Sequence, residues 1–419
     1  MRRADGPPGA PGTHAPVRGR PGTPPGLHTR LSAFYLFYFG ALGVFVPFFA
    51  LYLQRQGFGA VAIGQLMAIP MAMRVLAPGL WGWAADRSGR RDRVLRLAAV
   101  LATGGAALLL GASGFVAVGL ALVAFALPWS GLLPQFEATT LSHLGERPQL
   151  YGRVRLWGSV GFILAVVLGG WLFAGERLDA VPPALLVLVG LSAVAVWCVP
   201  SPPPPRATGD ESGLLATLRR PWVLALLAVC VLQQASFGPY YVFFTIHLDA
   251  LGYGTRAAGL LWAWGVAAEV LMFLYTPRLI ERYGSRALLV FALGVSVLRW
   301  LLTAWAGASL AALLFAQTLH MAAFGLFHAV AVLLVHRAFG GRLQGRGQAL
   351  YSALGFGLGG ALGSLGAGYA WSLAGAQGAW SAAAVVAALG LWIAWRGLAQ
   401  DDGLALRRGR DSAGTRDGT

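Results

Sequence analysis

Four side chains of this 419-residue sequence sit where charge is expensive: Arg74, Glu269, Arg299 and His320, each near the middle of a long apolar stretch. An ionisable group at the centre of a membrane costs at least about 2.5–3.5 kcal/mol, so such groups face a bundle interior or a water-filled path. Glu269, Arg299 and His320 come from three successive stretches at similar depth. A carboxylate, a guanidinium and an imidazole together can hold, pass and release a proton. The competing reading is a static hydrogen-bonded network that fixes packing. Gln317, His320, Phe324 and His328 share one helical face, and His328 alone reads as structural. Arg74 lies roughly 15 Å from either surface at a rise of about 1.5 Å per residue, too deep to reach water by stretching. No acid matches its depth in the first half, where Glu137 sits near the end of the fourth stretch. An unpaired guanidinium suits the anionic group of a substrate, which it can grip through two parallel hydrogen bonds. A helix-packing ion pair is the rival.

The elements that must position these groups are membrane helices. Hydrophobic residues make up 57% of the chain and charged residues 11%, more apolar surface than a soluble core can hide. The net charge of +16 does not point to nucleic acid, because of where it lies. All 32 basic residues are Arg; Arg55, Arg177 and Arg256 fall on one side, Arg74 and Arg299 lie inside spans, and the rest crowd the other side. That bias places both termini in the cytoplasm; the expected location is an inner (plasma) membrane, as a multi-pass protein. Cys198 and Cys230 lie in apolar spans, so no disulfide framework and no metal site is expected.

Residues 1–30, rich in Pro, Gly and Arg, read as a disordered tail. Spans follow at about 32–53, 60–84, 94–112, 115–138, 150–174 and 181–199, each near the roughly 20 residues needed to cross. A polar break over 201–220, with PPPP, Asp210 and Glu211, reads as a linker between an N-terminal bundle (31–200) and a C-terminal bundle (221–397). The second six spans fall at about 222–247, 257–279, 287–306, 309–336, 347–373 and 378–396, before a tail over 398–419. Small residues recur at every fourth position (Gly355, Gly359, Gly363; Gly161, Ala165, Gly169), the spacing of close helix packing in lipid. Aromatic stripes, Tyr38 to Tyr52 on the first span and Gln233, Phe237, Tyr240 and Phe244 on the seventh, could line a pocket for a ring-shaped substrate or face lipid.

A basic turn, GWAADRSGRR at Gly82 to Arg91, joins spans two and three, and a weaker copy, PRLIERYGSR, joins spans eight and nine. Asp86–Arg87–Gly89 in one and Glu281–Arg282–Gly284 in the other keep the same order, so the chain reads as two copies of one six-helix unit. The pattern over Gly82, Asp86, Arg87, Gly89, Arg90 and Arg91 resembles the signature between helices two and three of the major facilitator superfamily. Further blocks, YGRVRLWGSVGF (151–162), VLQQASFGPYY (231–241), GYGTRAAGLLWAWGVAAEV (252–270) and the VLRW around Arg299, look like the phenylpropionate-permease family, relatives of lactose permease.

The resemblance implies the major facilitator fold: an all-α membrane protein with 12 transmembrane helices in two pseudo-symmetric six-helix bundles. It implies proton symport, with Glu269, Arg299 and His320 as proton-coupling residues, and it implies that Glu137 and Arg155 stand where lactose-permease-like proteins bind sugar. Lactose permease carries a carboxylate one turn after its histidine; here Ala323 and Phe324 fill that turn, leaving Glu269 the principal proton carrier. Phenylpropionate-type substrates are anionic aromatics, which suits Arg74 and the stripes of Tyr38, Gln233, Phe237 and Tyr240. The expected function is a proton-coupled symporter importing a small aromatic carboxylate, with an oligosaccharide symporter or a proton-driven efflux pump as alternatives. Gly82, Asp86, Arg87, Gly89, Arg90, Arg91, Glu281 and Arg282 would gate the cycle. No zinc spacing, nucleophile elbow or phosphate loop appears, so an enzyme is not expected. The expected partners are substrate, protons and lipid; no cofactor and no nucleic acid is expected, and the working unit is expected to be a monomer.

Overall fold

The computed structural model describes residues 26–145, 147–201, 213–340 and 343–398. The first bundle consists of α1 (Leu27–Arg55), α2 (Ala60–Ser88), α3 (Arg91–Leu108), α4 (Phe115–Leu144), α5 (Tyr151–Leu172) and α6 (Val181–Cys198). The second begins with α7 (Pro221–Ala250), α8 (Gly254–Tyr283), α9 (Ser285–Ala306) and α10 (Leu310–Ala338). One helical stretch, Gln344–Gly397, then turns back on itself where Ala374 and Gly375 leave helical geometry, giving α11 (344–373) and α12 (376–397). Gly375 has φ 64°, a left-handed conformation that glycine adopts without strain. Twelve crossings put the start of α1 and the end of α12 on one face, here the terminal face; the opposite one is the far face.

Several boundaries differ from the sequence reading for local reasons. α1 begins at Leu27, inside the segment assigned to a tail, because Leu27 and Leu31 are buried in the bundle core. α4 runs on to Leu144, and in this polar end Thr139 and Thr140 satisfy their hydroxyls within the helix by donating back to the carbonyls of Gln135 and Phe136, at 2.9 Å each. α7 is interrupted at Phe237, just before Pro239, which supplies no N–H to the helical ladder. Within the linker over 201–220, Leu214–Leu218 forms a short helix. Residues 1–25, the linker's PPPP, Asp210 and Glu211, and the tail from 399 lie outside the described residues.

Packing inside each bundle uses the small residues at the close approaches. A methyl at Gly161 of α5 would sit 2.0 Å from the Leu36 carbonyl of α1, and one at Gly363 of α11 would sit 2.4 Å from the Ala235 carbonyl of α7. The two bundles meet through α2 against α11, α5 against α8, and α1 against α7. Their tightest contacts lie toward the far face. Gly64 of α2 abuts Gly368, whose Cα would be 2.8 Å from an added methyl, and a methyl added at Gly259 of α8 would sit 2.3 Å from the Val166 carbonyl. Thr255 donates to the Gly170 carbonyl (2.9 Å) and Gln65 to the Tyr369 hydroxyl (3.4 Å) across the same seam. The halves are therefore closed on the far face.

Candidate functional site

Glu269 on α8 meets His320 on α10, with His320 Nε2 3.4 Å from a carboxylate oxygen and the side chains 16% and 5% exposed. Glycines permit the meeting. An added methyl at Gly325 of α10 would come 3.0 Å from Glu269 Cγ, and Gly265 of α8 lies against Gln317 and His320. Immediately after His320 the helix widens into a π-helical turn, Met321–Leu326, a geometry that recurs at functional sites. His320 Nδ1 is buried with no hydrogen-bond partner among the described residues.

Arg299 does not join that pair. Its Nη2 donates to Gln317 Oε1 (2.7 Å) and its Nε to the Ala316 carbonyl (3.0 Å). Three aromatic rings box its guanidinium, Tyr240 at 4.3 Å, Trp300 at 4.5 Å and Phe237 at 5.4 Å. Cation–π attraction from desolvated rings takes the place of a carboxylate. Gln317 completes the cluster by donating to the Tyr240 hydroxyl (3.2 Å) and the Leu261 carbonyl (3.0 Å). Sequence reasoning missed Gln317 as a site residue; its place one turn before His320, on the same face, was the available signal.

Three residues expected to line a pocket are otherwise engaged. Gln233 donates to Ser296 Oγ (2.8 Å) and the Ala323 carbonyl (2.7 Å), tying α7 to α9 and α10. Phe237 and Tyr240 are buried as walls of the Arg299 box. Tyr38 is also buried, stacked on Trp129 at 4.1 Å, so the α1 stripe at this point is bundle core. The neighbouring Tyr241 is half-buried against Phe237 and Tyr240 and has no hydrogen bond among the described residues.

In the first bundle, Arg74 is half-buried, with no hydrogen bond or ion pair among the described residues. It lines a cavity of about 20 Å³ with Phe45, Met71, Phe125, Trp129 and Ser130. That is room for about one water and too little for an aromatic acid in this conformation. Nearer the terminal face, Glu137 and Arg155 are 4.0 Å apart and about one-third exposed, at 35% and 32%. Tyr151 donates to Glu137 (3.0 Å), and the Arg155 guanidinium lies 3.9 Å above the Phe39 ring.

The two turns lie at the terminal face. Gly89 caps α2 at φ 63°, its N–H reaching the Ala85 carbonyl at 3.1 Å. Asp86, 74% exposed, pairs at 3.7 Å with Arg91 at the start of α3. Arg87 lies over Trp83, Arg90 donates its backbone N–H to Ser88 Oγ, and Gly82 faces Gln135 of α4. In the copy, Arg282 lies over Tyr283, and Glu281 has no ion pair among the described residues. Neither turn reaches across to the other bundle through these contacts.

Residues 28–382 match the family model described as "MFS_1 like family". The chain is 30% identical over 328 residues to an Escherichia coli K12 protein named "Probable 3-phenylpropionic acid transporter", covering 77% of this chain and 86% of that one. It is 32% identical over 356 residues to the maltose permease of Geobacillus stearothermophilus, covering 82% and 88%. Among solved structures, the nucleoside transporter NupG superposes with a TM-score of 0.78 at 17% identity, over 90% of this chain and 100% of that one. A D-xylose–proton symporter does so at 0.70 and 15%, over 88% and 96%. These two likenesses are of fold.

Proposed function

The chain belongs to the MFS_1 like family and is a multi-pass membrane transporter of the major facilitator type, and from that premise we propose that it is a proton-coupled symporter importing a small aromatic carboxylate. The observation that carries this reading is the Glu269–His320 contact, a carboxylate and an imidazole 3.4 Å apart inside the membrane-spanning region. Such a pair can take a proton in one conformation and yield it in another. Arg74, without a hydrogen bond or ion pair among the described residues, is the counter-charge for a carboxylate; Arg299, 1% exposed, is sealed in its aromatic box. The half-buried Tyr241 and Phe324 offer ring surface. The name of the Escherichia coli relative agrees with an anionic aromatic substrate.

In the proposed cycle Glu269 is protonated from the outside with the far face open, the carboxylate binds near Arg74, the halves rock, and substrate and proton leave through the terminal face. That face is cytoplasmic in this reading, in an inner (plasma) membrane, and the protein works as a monomer without a cofactor. The basic turns at 82–91 and 277–286 would latch one conformation.

A sugar-symport reading has its own support: the partly exposed Glu137–Arg155 pair beside Tyr151 and Phe39, and a maltose permease among the relatives. Acidic and basic groups beside an aromatic face suit hydroxyl-rich rings. Uptake of labelled 3-phenylpropionate and of maltose into proteoliposomes, with and without an imposed proton gradient, separates the two. Gradient-driven accumulation of the acid is expected; accumulation of the sugar alone overturns the aromatic reading, and gradient-driven extrusion of the acid reverses the direction.

A further inference from the structure

Three histidines descend α10 toward the terminal face at eight-residue intervals: His320 buried, His328 half-buried and His336 exposed. The π-helical turn between the first two brings His320, Phe324 and His328 into one stack. The His320 and Phe324 rings are 5.2 Å apart and 4° from parallel, and those of Phe324 and His328 are 6.0 Å apart and 9° from parallel. Opposite them α11 also widens, over Ser352–Gly359, so that π-helical turns on two neighbouring helices frame His328. There His328 Nδ1 lies 2.8 Å from the Tyr351 hydroxyl, and the Phe356 ring packs edge-on against the imidazole at 5.7 Å. The two π-helical segments meet beside His328 through the Phe324 and Phe356 rings, 6.2 Å apart, and π-helical turns recur at functional sites.

We propose that His328, with Tyr351, is a second proton-binding site, which receives the proton as it leaves Glu269 and His320 on its way to the terminal face. The proposal rests on the symport reading. In the step, a proton bound at His320 passes through water to His328, one N–H bond breaking at the first ring and one forming at the second. Phe324 between the rings prevents direct transfer, so the step waits on its displacement. The helices packed against α10 carry groups of different kinds: Tyr351 of α11, hydrogen-bonded to His328, Cys230 of α7, Glu269 of α8, and Arg299 of α9, already held by Gln317. His336 continues the line at the surface, hydrogen-bonded to Gln344.

The test uses His328→Asn, whose side-chain amide can keep the Tyr351 hydrogen bond but cannot take a proton. Purified full-length protein carrying isotope-labelled histidine is titrated by difference infrared spectroscopy, a readout that needs no substrate. Wild type is expected to show an imidazole protonation signal that the variant lacks; identical spectra overturn the proposal. In proteoliposomes with 3-phenylpropionate, the variant is expected to keep exchange near the wild-type rate and to lose gradient-driven accumulation by at least about tenfold. Wild-type accumulation in the variant overturns the proton-passing role and leaves a packing contact. Should the variant fail to fold, Tyr351→Phe is read instead: it is expected to move the pH midpoint of the histidine signal, and an unmoved midpoint overturns the pairing. A signal lost in His328→Asn, beside a wild type that accumulates nothing with protons, overturns the symport reading, and with it the passing step, while the binding site stands.

Discussion

At the scale of residues, the same charged groups divide into sealed and accessible ones, and the division sets what each can do. Arg299 is enclosed by Tyr240, Trp300, Phe237 and Gln317, with Nη1 without a partner among the described residues, so it shapes the second bundle from within. Glu269 keeps partial access beside His320. Replacing Glu269 with Gln preserves shape and removes the proton, so uphill accumulation is expected to vanish while exchange continues; a counterflow assay beside an accumulation assay reads the split. Arg74→Gln is expected to raise the KM for an aromatic carboxylate by at least about tenfold, the loss of one charge-assisted grip, with little change for its neutral amide. Competition by the amide against labelled acid in both proteins checks it. The charged positions and their depth were legible in the sequence, because charge inside an apolar run is conspicuous. Which of them pair was not, since Glu269, Arg299 and His320 lie on different helices, and rotation about each helix axis decides who meets whom.

At the scale of elements, backbone contact rules. Gly161 of α5 leaves no room for a side chain, its missing methyl pointing at the Leu36 carbonyl 2.0 Å away. Gly161→Val is therefore expected to destabilise the first bundle by about 1–3 kcal/mol, the usual toll of overpacking, seen as a lower Tm of the purified protein in detergent. The same change at Gly104, which has open space around it, is expected to leave Tm within a degree or two of wild type. The four-residue spacing of small residues was readable in advance as a packing face. The break in α7 at Phe237 and the π-helical turns in α10 and α11 were not, because they answer to neighbours rather than to local propensity. At the α7 break an added methyl on Gly238 would lie 2.1 Å from the Gly363 carbonyl of α11, so the two backbones touch there.

At the scale of the whole molecule, alternating access needs the far-face seam to open and close. Gly64 against Gly368 and Gly259 against Val166 allow closure only while both glycines lack a side chain. Gly64→Leu is expected to hold the far face open and cut net transport by at least about tenfold, with the helical fold retained. Faster thiol labelling of a cysteine placed at Gln65, in a background lacking Cys198 and Cys230, checks it; unchanged labelling together with unchanged transport counts against the seam as a gate. By itself the sequence determined twelve crossings, the repeat of two six-helix units and the depth of each charged group, because lipid forces backbone bonds to close within each span and penalises stray charge. Only the tertiary structure decided that Tyr38 and Tyr240 are walls rather than pocket, that Arg299 takes an aromatic box in place of Glu269, and that His328 faces Tyr351. Those outcomes depend on the rotation and close approach of helices distant in the chain, which no single span encodes.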